Sequence, residues 1–240
     1  MDFDSARIKV ISENCATCSG IGSLSERLIH KILKYTVEPD DSCHEIEYKG
    51  FVADVKREDE IYEIQTRGFE RLSAKLDAFL SECKVTVIHP IIAEKQIFRF
   101  DKATGEITGP RKSPSPKTVF DSAYEIFKLR RFLLNPDFEI KLFLLSVDEY
   151  KNVERKKRYG PTDLIERMPK RLLDVVTLSC VKDYYAFIPP GLPVEFTSAD
   201  YVKCARSRSR YCYYGVRLLS ELGIVKKIGK RGRAYLFSLA

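Results

Sequence analysis

Three short runs with β character follow one another between residues 43 and 67: "CHEIEYKG", "FVADVK" and "IYEIQTR". An apolar helical period stands on either side of them. Upstream, Leu24, Leu28, Ile29, Ile32 and Leu33 follow Ser23 at helical spacing, which predicts an amphipathic helix from 23 to about 36. Downstream, Phe69, Leu72, Leu76, Phe79 and Leu80 again share one face, and "KVTVIHPII" and "QIFRF" then read as buried strands. Lys49-Gly50 and the polar stretch Arg57 to Glu60 supply turns between the three runs. The resulting order, α-β-β-β-α-β-β, is that of a mixed sheet with helices packed on it.

Residues 101–118, "DKATGEITGPRKSPSPKT", are rich in Pro, Gly and Ser and read as a long exposed loop. A helix from Val119 to Leu134 and a strand from Glu139 to Val147 complete a first domain over 1–150. After that the composition changes. "RKKR" at 155–158 is a basic run, and Pro161 is placed to open a basic linking helix over 151–176, ahead of a third segment, 177–240.

The net charge of +7 is unevenly placed. Residues 151–240 carry 19 Lys/Arg against 8 Asp/Glu, whereas residues 1–150 carry 22 against 26. A basic C-terminal part attached to a mildly acidic body suggests a polyanion-binding segment joined to a domain with other work. Seven cysteines, an odd count, with no charged-then-apolar leader at Met1, point to a reducing compartment and a cytoplasmic protein. No apolar run reaches the length that crosses a bilayer.

The stretch "ADVKREDEIYEIQTR", 53–67, carries the chemistry. If the hairpin turns symmetrically about Glu58 and Asp59, Asp54 pairs with Glu63. Directly opposed residues hold their Cβ atoms roughly 5 Å apart, and like charges there destabilise the sheet. A divalent cation compensates them, since Mg²⁺ takes hard oxygen ligands from carboxylates. Gln65, two residues past Glu63, points to the same face. The plainer alternative is a solvated hairpin neutralised by Lys56, Arg57 or Arg67.

In these residues the chain resembles the PD-(D/E)xK, or restriction-endonuclease-like, nuclease superfamily, whose core is αβββαβ. The resemblance covers about residues 20–100, through "GSLSERLIHKIL", "GFVADV" and "EIQTRGFERLSAKL". It implies that Asp54 is the motif aspartate, that Glu63 is the acid of the (D/E)xK strand, and that Gln65 stands in the lysine position, as in E-x-Q branches. Glu26 matches a glutamate that several branches, including Holliday-junction resolvases, use as a further metal-site acid. It also lies three residues after Ser23, the spacing of a capping box, so both roles stand open. Lys75 reads as an exposed helix lysine, with a displaced catalytic lysine as the alternative. The implied reaction is phosphodiester hydrolysis with Mg²⁺ or Mn²⁺ held by Asp54, Glu63 and the carbonyl of Ile64, and with Gln65 orienting the water.

The C-terminal stretch 196–239 carries a second resemblance. Ser198 is placed to cap a short helix, "ARSRS" turns, a longer helix runs to Leu222 before Gly223, and two strands flank "GKRG". This looks like a winged helix-turn-helix, which implies a helix in the major groove and a wing on the backbone. Arg206, Arg208, Arg210 and Tyr211 would then meet DNA at the recognition helix, and Lys230, Arg231 and Arg233 in the wing. Ten basic residues against one acidic residue in 201–240 agree with that.

"CATC" at 15–18 lacks a second, properly spaced ligand pair, since Cys43 and His44 are adjacent. His30 and His89 read as structural. The expected function is a metal-dependent DNA endonuclease, acting as a possible homodimer. A DNA-binding regulator with an inactive nuclease-like domain and an RNA-directed nuclease are the alternatives.

Overall fold

The computed structural model describes residues 1–16, 25–101, 104–114, 116–152, 164–207 and 209–240. Helices α1 (Phe3–Ala16) and α2 (Ser25–Val37) precede strands β1 (His44–Tyr48), β2 (Phe51–Arg57) and β3 (Glu60–Ile64). A 3-10 turn at Phe69–Leu72 leads into α3 (Ser73–Phe79). Strands β4 (Lys84–Phe100) and β5 (Ile107–Lys112), helix α4 (Ala123–Lys128), and strands β6 (Phe138–Asn152) and β7 (Leu164–Leu178) follow. Among the described residues the sheet has seven strands in the order β1-β2-β3-β4-β6-β7, with β5 paired to the outer part of β4. β1, β2 and β3 are antiparallel, β4 is parallel to both β3 and β6, and β7 returns antiparallel to β6.

Alternation of side chains across the central strands explains their unbroken apolar runs. Val85, Val87, Ile140 and Leu142 enter a core shared with α3 and α4. Ile88, Phe143, Leu145 and Val147 enter a second core under α1 and α2. A sheet covered on both faces needs both sets to be apolar. Pro90 sits within β4 without breaking it. Its missing N–H leaves the carbonyl of Gln65 without a ladder donor, and His89 Nδ1 donates to that oxygen at 2.8 Å.

Several elements differ from the sequence expectation. Helix α1 carries no strong apolar stripe and stands outside the sequence expectation. The two runs at 84–92 and 96–100 are one strand, and the 101–118 loop contains β5. Residues 164–178 form strand β7 where a linking helix over 151–176 was expected. The reason lies in Pro169, which would break a helix interior, whereas in β7 it pairs with Val147 beside a register shift. The basic run 155–158 and Pro161 lie outside the described residues.

After β7 the chain makes a 3-10 segment (Val181–Phe187), strand β8 (Glu195–Phe196), helices α5 (Ser198–Ala205) and α6 (Tyr214–Glu221), and strands β9 (Val225–Arg231) and β10 (Ala234–Leu239). The strands form a small sheet ordered β8-β10-β9. The cap of α5 is Thr197, one residue before the expected Ser198. Its hydroxyl accepts from Asp200 N–H, and Asp200 Oδ2 accepts from Thr197 N–H. Left-handed Gly223 (φ +71°) ends α6. Val216, Leu219 and Phe196 belong to the same apolar cluster as Val87 and Leu76, so this unit shares the core of the large sheet.

Candidate active site

β2 and β3 pair regularly from Arg57↔Glu60 to Val55↔Tyr62. One further step of that register sets Asp54 against Glu63, as the symmetric turn requires. Here side chains take over from the backbone ladder. Ile64 N–H donates to Asp54 Oδ2 at 2.8 Å, and Asp54 N–H donates to Glu63 Oε1 at 3.3 Å. The two carboxylates thereby hold the ends of the strands in place of a pair of backbone hydrogen bonds.

Cationic and imidazole groups from two helices close on the pair. From α3, Lys75 Nζ donates to Glu63 Oε2 at 2.5 Å. From α2, His30 Nε2 lies 3.2 Å from Asp54 Oδ1. One turn later Lys34 is buried and ion-paired with Glu45. Lys75 is only 17% exposed at its side chain, so it is not the exposed helix lysine that was the first expectation. His30, expected to be structural, touches Asp54.

Burial and electrostatics split the two acids. Loss of water and then the charge of Asp54 push the Glu63 carboxyl up to about 7, against the pull of Lys75. Burial also works against ionised Asp54, but the His30 and Ile64 hydrogen bonds and the Lys75 charge hold it below the ordinary range. Burial lowers the Lys34 ammonium, while Asp54 and Glu63 oppose that shift and Lys75 adds to it. A buried acid kept near neutrality beside an ionised one is an arrangement common at functional sites.

The other expected site residues are placed as follows. Gln65 follows the end of β3, and its side chain donates to the Arg67 carbonyl at 2.5 Å, with no hydrogen bond to either carboxylate. The Ile64 side chain enters the core under α1 and α2. Glu26 lies in α2, four residues before His30, and its side chain is outside the described residues, as are Ser23 and the "CATC" segment's side chains. Among the described residues no three His, Cys, Asp or Glu side chains group to hold a metal ion.

In the C-terminal unit, Arg206 is the left-handed C-cap of α5 (φ +50°). Arg210 lies over the Tyr211 ring, 4.7 Å from its centre, and Tyr211 stacks on Tyr124 of α4 with 4.4 Å between centres. Tyr211 is thus packed against the first part of the chain. Arg231 pairs with Asp200 at 3.4 Å, Lys230 approaches the Tyr235 ring, and Arg233 is exposed at the β9–β10 turn. Arg208 lies outside the described residues.

Residues 27–180, from α2 to just past the end of β7, match the profile of a family described as a domain of unknown function, DUF8091. The chain belongs to the DUF8091 family. The DUF8091 segment therefore contains the large sheet, both carboxylates, His30, Lys34 and Lys75, while α5, α6 and the small sheet lie beyond it. An uncharacterized protein of Treponema pallidum (strain Nichols) is 28% identical over 223 residues, covering 90% of this chain and 86% of that protein. No solved structure matches the chain.

The sequence held a signal for Lys75. It stands beside the buried stripe of Leu72, Leu76 and Phe79, one turn from either end, on the helix that follows the Glu63 strand. Nothing local marked His30 or Lys34, because their partners lie on a different element.

Proposed function

We propose that this protein is a metal-dependent DNA endonuclease that hydrolyses phosphodiester bonds with a restriction-endonuclease-like site in its DUF8091 segment, and that its C-terminal unit is a winged helix that seats it on DNA. The observation that carries the reading is the contact of Lys75 with Glu63 opposite Asp54. It supplies, from the following helix, the lysine that the strand lacks at Gln65. Helix α2, three antiparallel strands, α3 and parallel β4 also stand in the αβββαβ order.

The donor set fits a hard divalent cation. Two carboxylates face one another, and the raised Glu63 acid reflects repulsion that such a cation relieves. Asp54, Glu63 and the Ile64 carbonyl would hold Mg²⁺ or Mn²⁺, which supplies Lewis acidity toward the phosphodiester and its attacking water. Lys75 would hold the proton-transfer position beside that water and meet the charge growing on the phosphate. His30 would keep the Asp54 carboxylate ionised and oriented. Gln65, turned onto its own loop, would serve the loop rather than the water.

A second reading is a DNA-binding regulator whose nuclease-like domain is inactive. It is favoured by the fact that each carboxylate oxygen already has a protein partner: His30, Ile64 N–H, Asp54 N–H and Lys75. Nicking of supercoiled and branched DNA with Mg²⁺ or Mn²⁺ separates the two. Cleavage by the wild type and none by Glu63→Ala, with DNA binding retained, supports the enzyme. Salt-sensitive binding with no cleavage by either protein supports the regulator, and preference for a 2′-hydroxyl substrate redirects the reading to RNA.

A further inference from the structure

The α4–α6 junction carries two guanidiniums without a carboxylate partner among the described residues. Arg130, just after α4, and Arg217, on α6, both lie over the ring of Phe127, with Cζ 5.0 and 4.9 Å from its centre. Both residues are exposed, and no ion pair to either is found among the described residues. Sharing one ring keeps the two charges within about 10 Å, roughly one Debye length at 0.1 M salt. Arg131, the next residue, differs: it is paired with Asp77 at 2.5 Å.

Arg217 also lines a groove of about 670 Å³ between α6 and the β9–β10 hairpin, together with Lys226, Lys227 and one acidic residue, Glu221. Lys227 Nζ lies 3.5 Å from the centre of the Tyr235 ring, and Lys230 approaches the same ring. These lysines too have aromatic or solvent neighbours and no carboxylate partner among the described residues. The cations Arg130, Arg217, Lys227 and Lys230 therefore run from the large sheet's α4 to the C-terminal hairpin.

We infer that this row is a single phosphate-binding track, on which the backbone of duplex DNA is held by both parts of the chain at once. Cations parked on aromatic faces keep their charge available to a polyanion, where carboxylate partners would have cancelled it. An acidic amphipathic peptide is the competing occupant. It fits less well because Arg130 and Lys230 lie outside the groove, beyond its apolar lining of Phe127, Tyr235 and Phe237. Tyr211, expected on the DNA, is instead stacked on Tyr124, while Arg217 on α6 is exposed.

The inference rests on the nucleic-acid part of the proposed function and not on cleavage. Its test is duplex binding by the full chain in EDTA, as a function of salt. Each phosphate contact contributes about 0.9 to the slope of log K against log salt. The double variant Arg130→Gln, Arg217→Gln, checked for an unchanged melting temperature, is expected to lower that slope by about 1.8 and weaken binding by about 10-fold or more near 0.1 M salt. Arg131→Gln, which removes a paired neighbour, is expected to leave the slope within about 0.3 of wild type. Equal slopes for wild type and double variant overturn the track, as does preferred binding of an acidic peptide over DNA in competition. Wild type that binds no duplex at any salt overturns the nucleic-acid reading itself.

Discussion

Lys75 and Glu63 are twelve residues apart in sequence and 2.5 Å apart in space. The contact joins α3 to the end of β3 and places the ammonium beside the acid that faces Asp54. Under the proposed function this lysine takes part in the chemistry. Lys75→Ala is expected to cut metal-dependent cleavage by about 10²- to 10⁴-fold with DNA affinity unchanged. Lys75→Arg is not expected to restore it, because the planar fork does not replace a compact ammonium. Wild-type cleavage rates in the alanine variant would remove Lys75 from the chemistry.

Glu63 makes the protein's stability depend on pH in a definite direction. Its carboxyl lies at about 7 in the folded chain against 4.5 for the free group. The folded state therefore binds this proton more readily, and the stability contributed is full below about 4.5 and lost as pH rises through about 7. Asp54 works in the opposite sense: its depressed acid stabilises above the ordinary aspartate range and is lost as pH falls. Urea unfolding of Glu63→Gln at pH 5 and pH 8 is expected to show a flatter profile than wild type, with the gain at pH 8. Saturating Mg²⁺ should flatten the wild-type profile in the same way, and a Glu63→Gln profile as steep as wild type would refute the assignment.

Tyr211 holds the C-terminal unit against α4. Its ring stacks on Tyr124, and Ser207 Oγ donates to Asp121 Oδ1 at 2.6 Å nearby. Tyr211→Ala is expected to destabilise the fold by about 2 kcal/mol through lost stacking and burial. Duplex affinity per folded molecule should stay within about twofold. A large affinity loss at unchanged melting temperature would instead put Tyr211 on the DNA.

Gly215 is set by a close approach. A Cβ built there would lie 1.9 Å from the hydroxyl oxygen of Tyr201, which donates to the Phe187 carbonyl at 2.7 Å. Both the tyrosine and its acceptor are buried, so neither yields cheaply. Gly215→Ala is expected to cost about 3 kcal/mol or to abolish soluble expression. The double variant Gly215→Ala, Tyr201→Phe is expected to recover little of that loss, because the ring carbons Cζ and Cε1 would still lie 2.4 and 2.7 Å from the new Cβ.

The local periods of the chain determined most of its elements. The three strands, α2, the apolar face of α3 and the helix pair before the basic hairpin all follow from spacings of two or 3.6 residues and from glycines such as Gly223. The opposition of Asp54 and Glu63 follows from the same source, since a symmetric two-residue turn sets the register of a hairpin. Only the tertiary structure decided what stands around that pair. His30 comes from α2 and Lys75 from α3, and each reaches the carboxylates through packing against the sheet rather than through any repeat in the sequence. The same holds for β7, where Pro169 and β-branched Val175 and Val176 outweighed the basic composition, and for Arg130 and Arg217, which meet on Phe127 because α4 and α6 share one core. Periodicity reports which face of an element is buried, but not which element will cover it, and the site lies where such faces meet.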